Sequence, residues 1–229
     1  MNPLQKLFSA LFPQAANSDT TELPSTSGAV MSDNFLALAK QRRTIYALGK
    51  DLPVAEEVVI ETIKEAIRQA PSAFNSQSSR ALILLGKEHA KFWELTREQL
   101  RKIVPEESFK ATSDKLDGFA AAAGSVLFFE DQDVVKGLQE QFAAYADNFP
   151  VWSEHSTGIA QYAVWLALAE KGIGANLQHY NPLVDADVQS SWNISANWKL
   201  RGHMNFGSIV APAGEKAFMD DDKRFVVAR

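Results

Sequence analysis

The sequence predicts a domain that mixes helices with strands, of the α+β or α/β class. Three observations carry this. Val59, Ile63, Ala66, Ile67 and Ala70 fall at three- and four-residue steps between Glu57, Glu61, Lys64 and Arg68, the pattern of an amphipathic helix. Ala81–Leu85 and Val126–Phe129 are short continuous apolar runs, the signature of buried strands. Helical segments outnumber strand segments and are interspersed with them. The chain has 229 residues, 46% hydrophobic and 22% charged, which fits one domain with a tail.

Taken in order, residues 1–32 read as a flexible tail. The patch Leu7–Phe12 is short and is closed by Pro13, unlike a secretory segment. Residues 13–31 are rich in Ser, Thr, Pro, Ala and Gly and lack an apolar period. Order should begin at Ser32-Asp33, a fitting N-cap for a helix to about Arg43. The amphipathic helix Val54–Gln69 follows and is stopped by Pro71. The strand Ala81–Leu85 should end at Gly86. Glu88–Ile103 reads as a charged surface helix, and Val126–Phe129 as the second buried strand. Trp152–Lys171 is the longest helix; it is nearly apolar from Ile159 to Ala169, so it belongs at a domain centre or a subunit interface. Asn176–Gln178 is strand-like, and a last strand should include Met204–Phe206.

Composition also excludes. With no cysteine, the chain has no disulfide, thiol nucleophile or Cys-ligated metal. Its four histidines show no metal-ligand spacing, so no metal is expected. A net charge of −5 argues against nucleic acid as a partner. The longest apolar stretch, Ala163–Ala169, is too short to cross a membrane.

Four segments offer chemistry. Arg42-Arg43-Thr44 sets two guanidinium groups beside a hydroxyl, a good phosphate clamp; read alone, it is more simply a basic helix end favoured by the macrodipole. Ala70–Arg80, crowded with Ser, Asn75 and Gln77, has the donors and acceptors that a planar heterocycle needs, and equally those of an ordinary polar loop. Gly172-Ile173-Gly174 is no dinucleotide fingerprint, because it follows a helix and Leu177 stands where the third Gly belongs. The strand behind it carries Gln178 and Tyr180 on one side and His179 on the other. Lys216 and Arg224 are late cations that either add to an anion site or balance Asp220-Asp221-Asp222.

The order of these segments resembles the FMN-dependent nitroreductase family, in its compact fungal and bacterial branch. Arg42-Arg43-Thr44-Ile45-Tyr46, Phe74-Asn75-Ser76-Gln77-Ser78-Ser79-Arg80 and Asn176-Leu177-Gln178-His179-Tyr180-Asn181-Pro182 carry the likeness, which spans roughly residues 33–229. The resemblance implies an α+β fold with a mixed, mostly antiparallel central sheet flanked by helices. It implies a cytoplasmic homodimer with FMN at the subunit interface, and NADH or NADPH as co-substrate. Hydride would pass through flavin N5 to nitroaromatics, quinones or similar flat acceptors by a ping-pong mechanism, with no catalytic side chain. Arg42, Arg43, Thr44 and Lys216, with Arg224 as a further match, would hold the phosphate and ribityl chain. Asn75 and Gln77 would bond the ring, and the backbone of Gln178, His179 and Tyr180 would lie near N5. The chain departs from the family pattern at Ser78-Ser79, where Pro-Trp is common, at Tyr46, where some members have Lys, and at Phe218, where Arg often stands. The lost cation near N1 would stabilise reduced flavin less. A flavin-binding sensor or regulatory protein with little turnover is the alternative. Phe119, Phe128, Tyr145, Trp152 and Trp192 are possible walls for flat ligands, and each is also a plausible core residue.

Overall fold

The computed structural model describes residues 33–229, of which Phe35–Arg229 form one compact unit. The expected tail, residues 1–32, and Ser32 of the expected first cap lie outside the described residues. Seven helices and five strands follow in the described part: α1 (Asp33–Gln41), β1 (Leu48–Gly49), α2 (Glu56–Arg68), β2 (Ser79–Leu85), α3 (Gly86–Arg101), α4 (Glu106–Ala120), β3 (Gly124–Asp131), α5 (Gln132–Gln141), α6 (Phe149–Glu170), β4 (Gly174–Gln178), α7 (Asp185–Trp192) and β5 (Trp198–Ile209).

The class is α+β. β5 is the centre of the sheet although it is last in the chain. It pairs antiparallel with β3, with β4 and, over its last residues, with β1, and β2 completes the sheet outside β3. Among the described residues every strand pairing is antiparallel, and the one parallel element is an isolated bridge between Thr44 and Ala175. Period-two alternation divides the core in two. Leu127, Phe129 and Leu200 face α3, α4 and α7, where they pack with Phe92, Trp93, Leu116, Phe119 and Val188. Val126, Phe128, Met204 and Phe206 face α2 and α6, where they pack with Val59, Ile63, Val164 and Leu168. Gly207 permits the crossing at β1: a Cβ there would lie 2.2 Å from the Gly49 carbonyl oxygen.

Several boundaries differ from the sequence reading. The first helix stops at Gln41, with the Arg42 N–H closing its last turn on Leu38, so Arg43 and Thr44 leave the helix and run onto β4. Gly86 opens α3 rather than ending a strand. Its φ of 51° lets β2 turn directly into the helix, a conformation that costs glycine little. β2 is an edge strand and only half-buried, where its apolar run suggested full burial. α3 is charged on its outer face but buries Phe92, Trp93 and Leu100. The sequence reading left α4, α5 and α7 unassigned. α4 carries its signal weakly, in Phe109, Leu116 and Phe119; α5 is marked by Asp131, whose side chain caps the Asp133 N–H over 3.1 Å.

Candidate functional site

The clamp segment is built onto β4. The Ile45 N–H donates to the Ala175 carbonyl (2.9 Å), and Asn176 Nδ2 donates to the Ile45 carbonyl (2.8 Å). Arg42 projects onto α6, its Cζ 4.5 Å from the Trp165 ring and 5.9 Å from that of Tyr162. Arg42 Nε and Trp165 Nε1 are both buried without a hydrogen-bond partner among the described residues. Arg43 Nη2 donates to the Gly214 carbonyl (2.6 Å), which brings the Lys216 segment to the clamp. The Lys216 ammonium lies 4.9 Å over the ring of Phe218, so the Phe in place of a family Arg meets the lysine through its π face. Arg224, in an exposed turn, is hydrogen-bonded to none of these residues among those described. Tyr46 is 60% exposed.

On β4, Asn176 and Gln178 point into the core towards α3, whereas His179 lies on the opposite side and is exposed, as alternation requires. Gln178 Nε2 and Asn205 Nδ2 each donate to Asn176 Oδ1 over 3.0 Å. The chain of buried polar groups continues from Asn205 to Ser125 (2.8 Å) and on to His89 (2.9 Å). His203 Nδ1 lies 3.0 Å from the Gln178 carbonyl and 3.4 Å from the Tyr180 N–H; the shorter contact, to a group that only accepts, favours the proton on Nδ1, and Nε2 is left without a partner among the described residues. Burial pushes both imidazoles down to about 4, so both are neutral near pH 7.

The second polar segment is strained into shape. Phe74, Asn75 and Gln77 all adopt positive φ (58°, 48° and 48°), and the Gln77 N–H is held by Ser72 Oγ at 2.9 Å. Asn75 and Gln77 are exposed; Gln77 lines a cleft of about 210 Å³ with Ser72, Ser79, Arg80 and Ser156. Glu130, fully buried, anchors this loop. It accepts from Ser78 Oγ (2.5 Å), Ser79 Oγ (2.5 Å) and, from α6, Ser153 Oγ (2.8 Å). The serines that replace the family's Pro-Trp are thus two of the three donors to a buried carboxylate. Phe74 stacks on Trp152 (5.8 Å, 20°) and touches Phe142, Tyr145 and Phe149, a wall of five rings. Tyr145 and Trp152 therefore join an aromatic wall, whereas Phe119 and Phe128 are core and Trp192 packs on Phe92.

The structure thus joins Arg42, Arg43 and Thr44 to β4 and to the Lys216 segment. The Asn75–Gln77 loop stands apart. Its contact at Ser156 and that of Arg42 at Trp165 are nine residues apart on α6, about 13 Å along the axis. A larger cleft, about 690 Å³, lies elsewhere, between α2 and α6; it is a shallow groove carrying Glu57, Glu61, Glu65 and Glu170, and no candidate residue lines it. Among the described residues there is no cluster of potential metal ligands, and no helix is long and apolar enough to cross a membrane. Asn176, Glu130, Trp165 and His203 escaped the sequence reading. Only Asn176 left a trace there, as a polar residue alternating with Gln178 on an inward strand face.

Comparison with known proteins agrees with this geometry. The profile of the Nitroreductase family matches residues 39–208. Two Saccharomyces cerevisiae proteins, HBN1 and nitroreductase FRM2, are 36% and 34% identical over 192 and 190 residues, covering 82% of this chain and 94% of each relative. The structure is similar to nitroreductase CinD from Lactococcus lactis in complex with nicotinic acid (59% identity, TM-score 0.80, 85% of this chain and 100% of that one). The same enzyme in complex with 4-nitrophenol matches with TM-score 0.78 at 59% identity, again over 85% and 100% of the two chains. An α+β domain of this sheet order, matched by that family profile and by CinD, is an oxidoreductase of the nitroreductase fold. The chain belongs to the nitroreductase family.

Proposed function

We propose that the protein is an FMN-dependent oxidoreductase that uses NADH or NADPH to reduce nitroaromatics, quinones or similar flat acceptors by a ping-pong mechanism. The observation that carries the reading is the Arg42 guanidinium: it lies against the Trp165 ring, and among the described residues no ion pair includes it, so its charge lacks the anionic partner that a phosphate would supply. The phosphate of FMN fits that demand. Structures of the same fold, from Desulfovibrio desulfuricans and Desulfitobacterium hafniense, contain FMN, and CinD has been seen with nicotinic acid and 4-nitrophenol.

When bound, FMN supplies hydride exchange at N5 between the nicotinamide and the acceptor. The chain supplies placement. Arg42, Arg43 and Lys216 neutralise the phosphate, and Thr44 offers a hydroxyl beside them; Arg224 is a further cation that reaches this anion only if its exposed segment moves. Asn75 and Gln77, on a loop held at positive φ, would bond the ring edge. The main chain of Gln178, His179 and Tyr180 forms the floor near the reacting atom, stiffened by the Asn176 network. The five-ring wall excludes water and offers a flat surface to planar partners.

A homodimer completes this reading. Val151, Ile159 (42% exposed) and Tyr162 (40% exposed) form an apolar stripe on the outside of α6, suited to a second copy of the chain. Residues 33–229 form the FMN-binding domain, and the enzyme works in the cytoplasm on small molecules rather than nucleic acid. The test is direct. Purified protein should be yellow, and anaerobic addition of NADH or NADPH should bleach it; re-colouring by 4-nitrophenol or a quinone should then follow. A colourless protein that takes up no FMN would end the reading. Bound FMN that neither nucleotide reduces would favour a sensor.

A further inference from the structure

We infer that Trp165 is a positioning residue for Arg42, and that this pair makes the site select phosphorylated flavin over the unphosphorylated one. The inference rests on the flavin reading above and concerns its phosphate end.

Tyr162 and Trp165 are three residues apart on α6, so they stand on one face, and Arg42 reaches both rings. At 4.5 Å from the centroid, the guanidinium lies in cation–π range of the indole. A planar cation held this way keeps its in-plane N–H fork free at the edge. Nothing else holds it: none of the ion pairs among the described residues includes Arg42. Its backbone is fixed by the N–H bond to Leu38, so only the side-chain direction remains to be set. Trp165 sets it, through the ring face on which the guanidinium lies. Nε is enclosed, so the two terminal Nη nitrogens are the ones left to meet an anion with several oxygens, as a phosphate monoester provides. Arg43 is engaged with Gly214, so Arg42 is the more available of the pair.

A ring without the phosphate gains nothing from this arrangement, and that gives the test. Full-length protein freed of flavin by dialysis is titrated with FMN and with riboflavin, following flavin fluorescence, for wild type, Trp165→Leu and Trp165→Phe. Wild type should bind FMN more tightly than riboflavin. Trp165→Leu should lose about tenfold in FMN affinity and leave riboflavin unchanged, and Trp165→Phe should fall between. Equal losses for the two flavins mean a general packing role and overturn the inference, as does unchanged FMN affinity. Should the Leu variant fail to melt cooperatively, Arg42→Lys decides. It keeps the charge but cannot stack as a plane, so it should show the same FMN-only loss, and an unaltered FMN-to-riboflavin ratio overturns the proposal. Wild type that binds neither flavin shows a different failure, that of the flavin reading itself.

Discussion

The side-chain amide of Asn176 donates to the main-chain carbonyl of Ile45 across 2.8 Å, and its oxygen accepts from Gln178 and Asn205. One buried residue therefore fixes the strand behind Gln178 and the segment that carries Arg42–Thr44. The two parts of the site move together or not at all.

Replacing Asn176 with Ala leaves the Ile45 carbonyl and two amide groups short of partners in a dry environment. The expected loss is about 2–4 kcal/mol of stability, from unsatisfied groups that cost roughly 1–3 kcal/mol each. Asn176→Asp should be worse for FMN retention, because a carboxylate oxygen would face the Ile45 carbonyl. Thermal melts and flavin release measure the two effects separately. If retention survives in the Asp variant, the coupling between strand and clamp is absent.

Glu130 receives three hydroxyl hydrogens inside the fold. Glu130→Ala strands all three and removes the tie between the Asn75–Gln77 loop and α6. A loss of about 3 kcal/mol is expected, together with faster proteolysis within residues 72–79. Protection of that loop equal to wild type would show that the serines hold it without the carboxylate.

The two buried imidazoles predict an acid sensitivity. In the fold His89 and His203 ionise only near pH 4, against about 6.5 for an ordinary histidine, because burial penalises the charged form. The unfolded chain therefore takes up protons first as pH falls. The stabilisation is full above pH 6.5, declines between 6.5 and 4, and declines no further on their account below that. The upper bound is about 3 kcal/mol per histidine. Melting temperature followed from pH 7.5 to 4.5 checks this; a flat profile across that interval contradicts it.

Gly207 lies where β5 passes β1, and its missing side chain is what lets the Gly49 carbonyl approach. Gly207→Ala must push backbone against backbone, so a loss above about 2 kcal/mol is expected. Urea unfolding reports it. A variant as stable as wild type would mean that β1 detaches at little cost.

The hydrophobic pattern made α2, α3, α6 and the strand cores legible, because apolar spacing follows from which face is buried. α4, α5 and α7 were not, since their buried residues are few and far apart: Val135 alone is buried in α5 and Val188 alone in α7. At the site, the residue types of Arg42–Thr44 and Asn75–Gln77 were readable from sequence. Their partners were not. Glu130 lies 51 or 52 residues from the loop serines it binds and 23 from Ser153, and Trp165 reads as one more apolar residue in an apolar helix. A contact across the fold leaves no local period.

The central position of β5 sets an order of events in the cell. β1, β3 and β4 all wait for the same partner, and that partner is the last strand to leave the ribosome. Until residues 198–209 emerge, the edges of β3 and β4 have no neighbour to close them and remain open to other chains. The full sheet, and the site that the sheet supports, therefore cannot exist until residues 198–209 have been made.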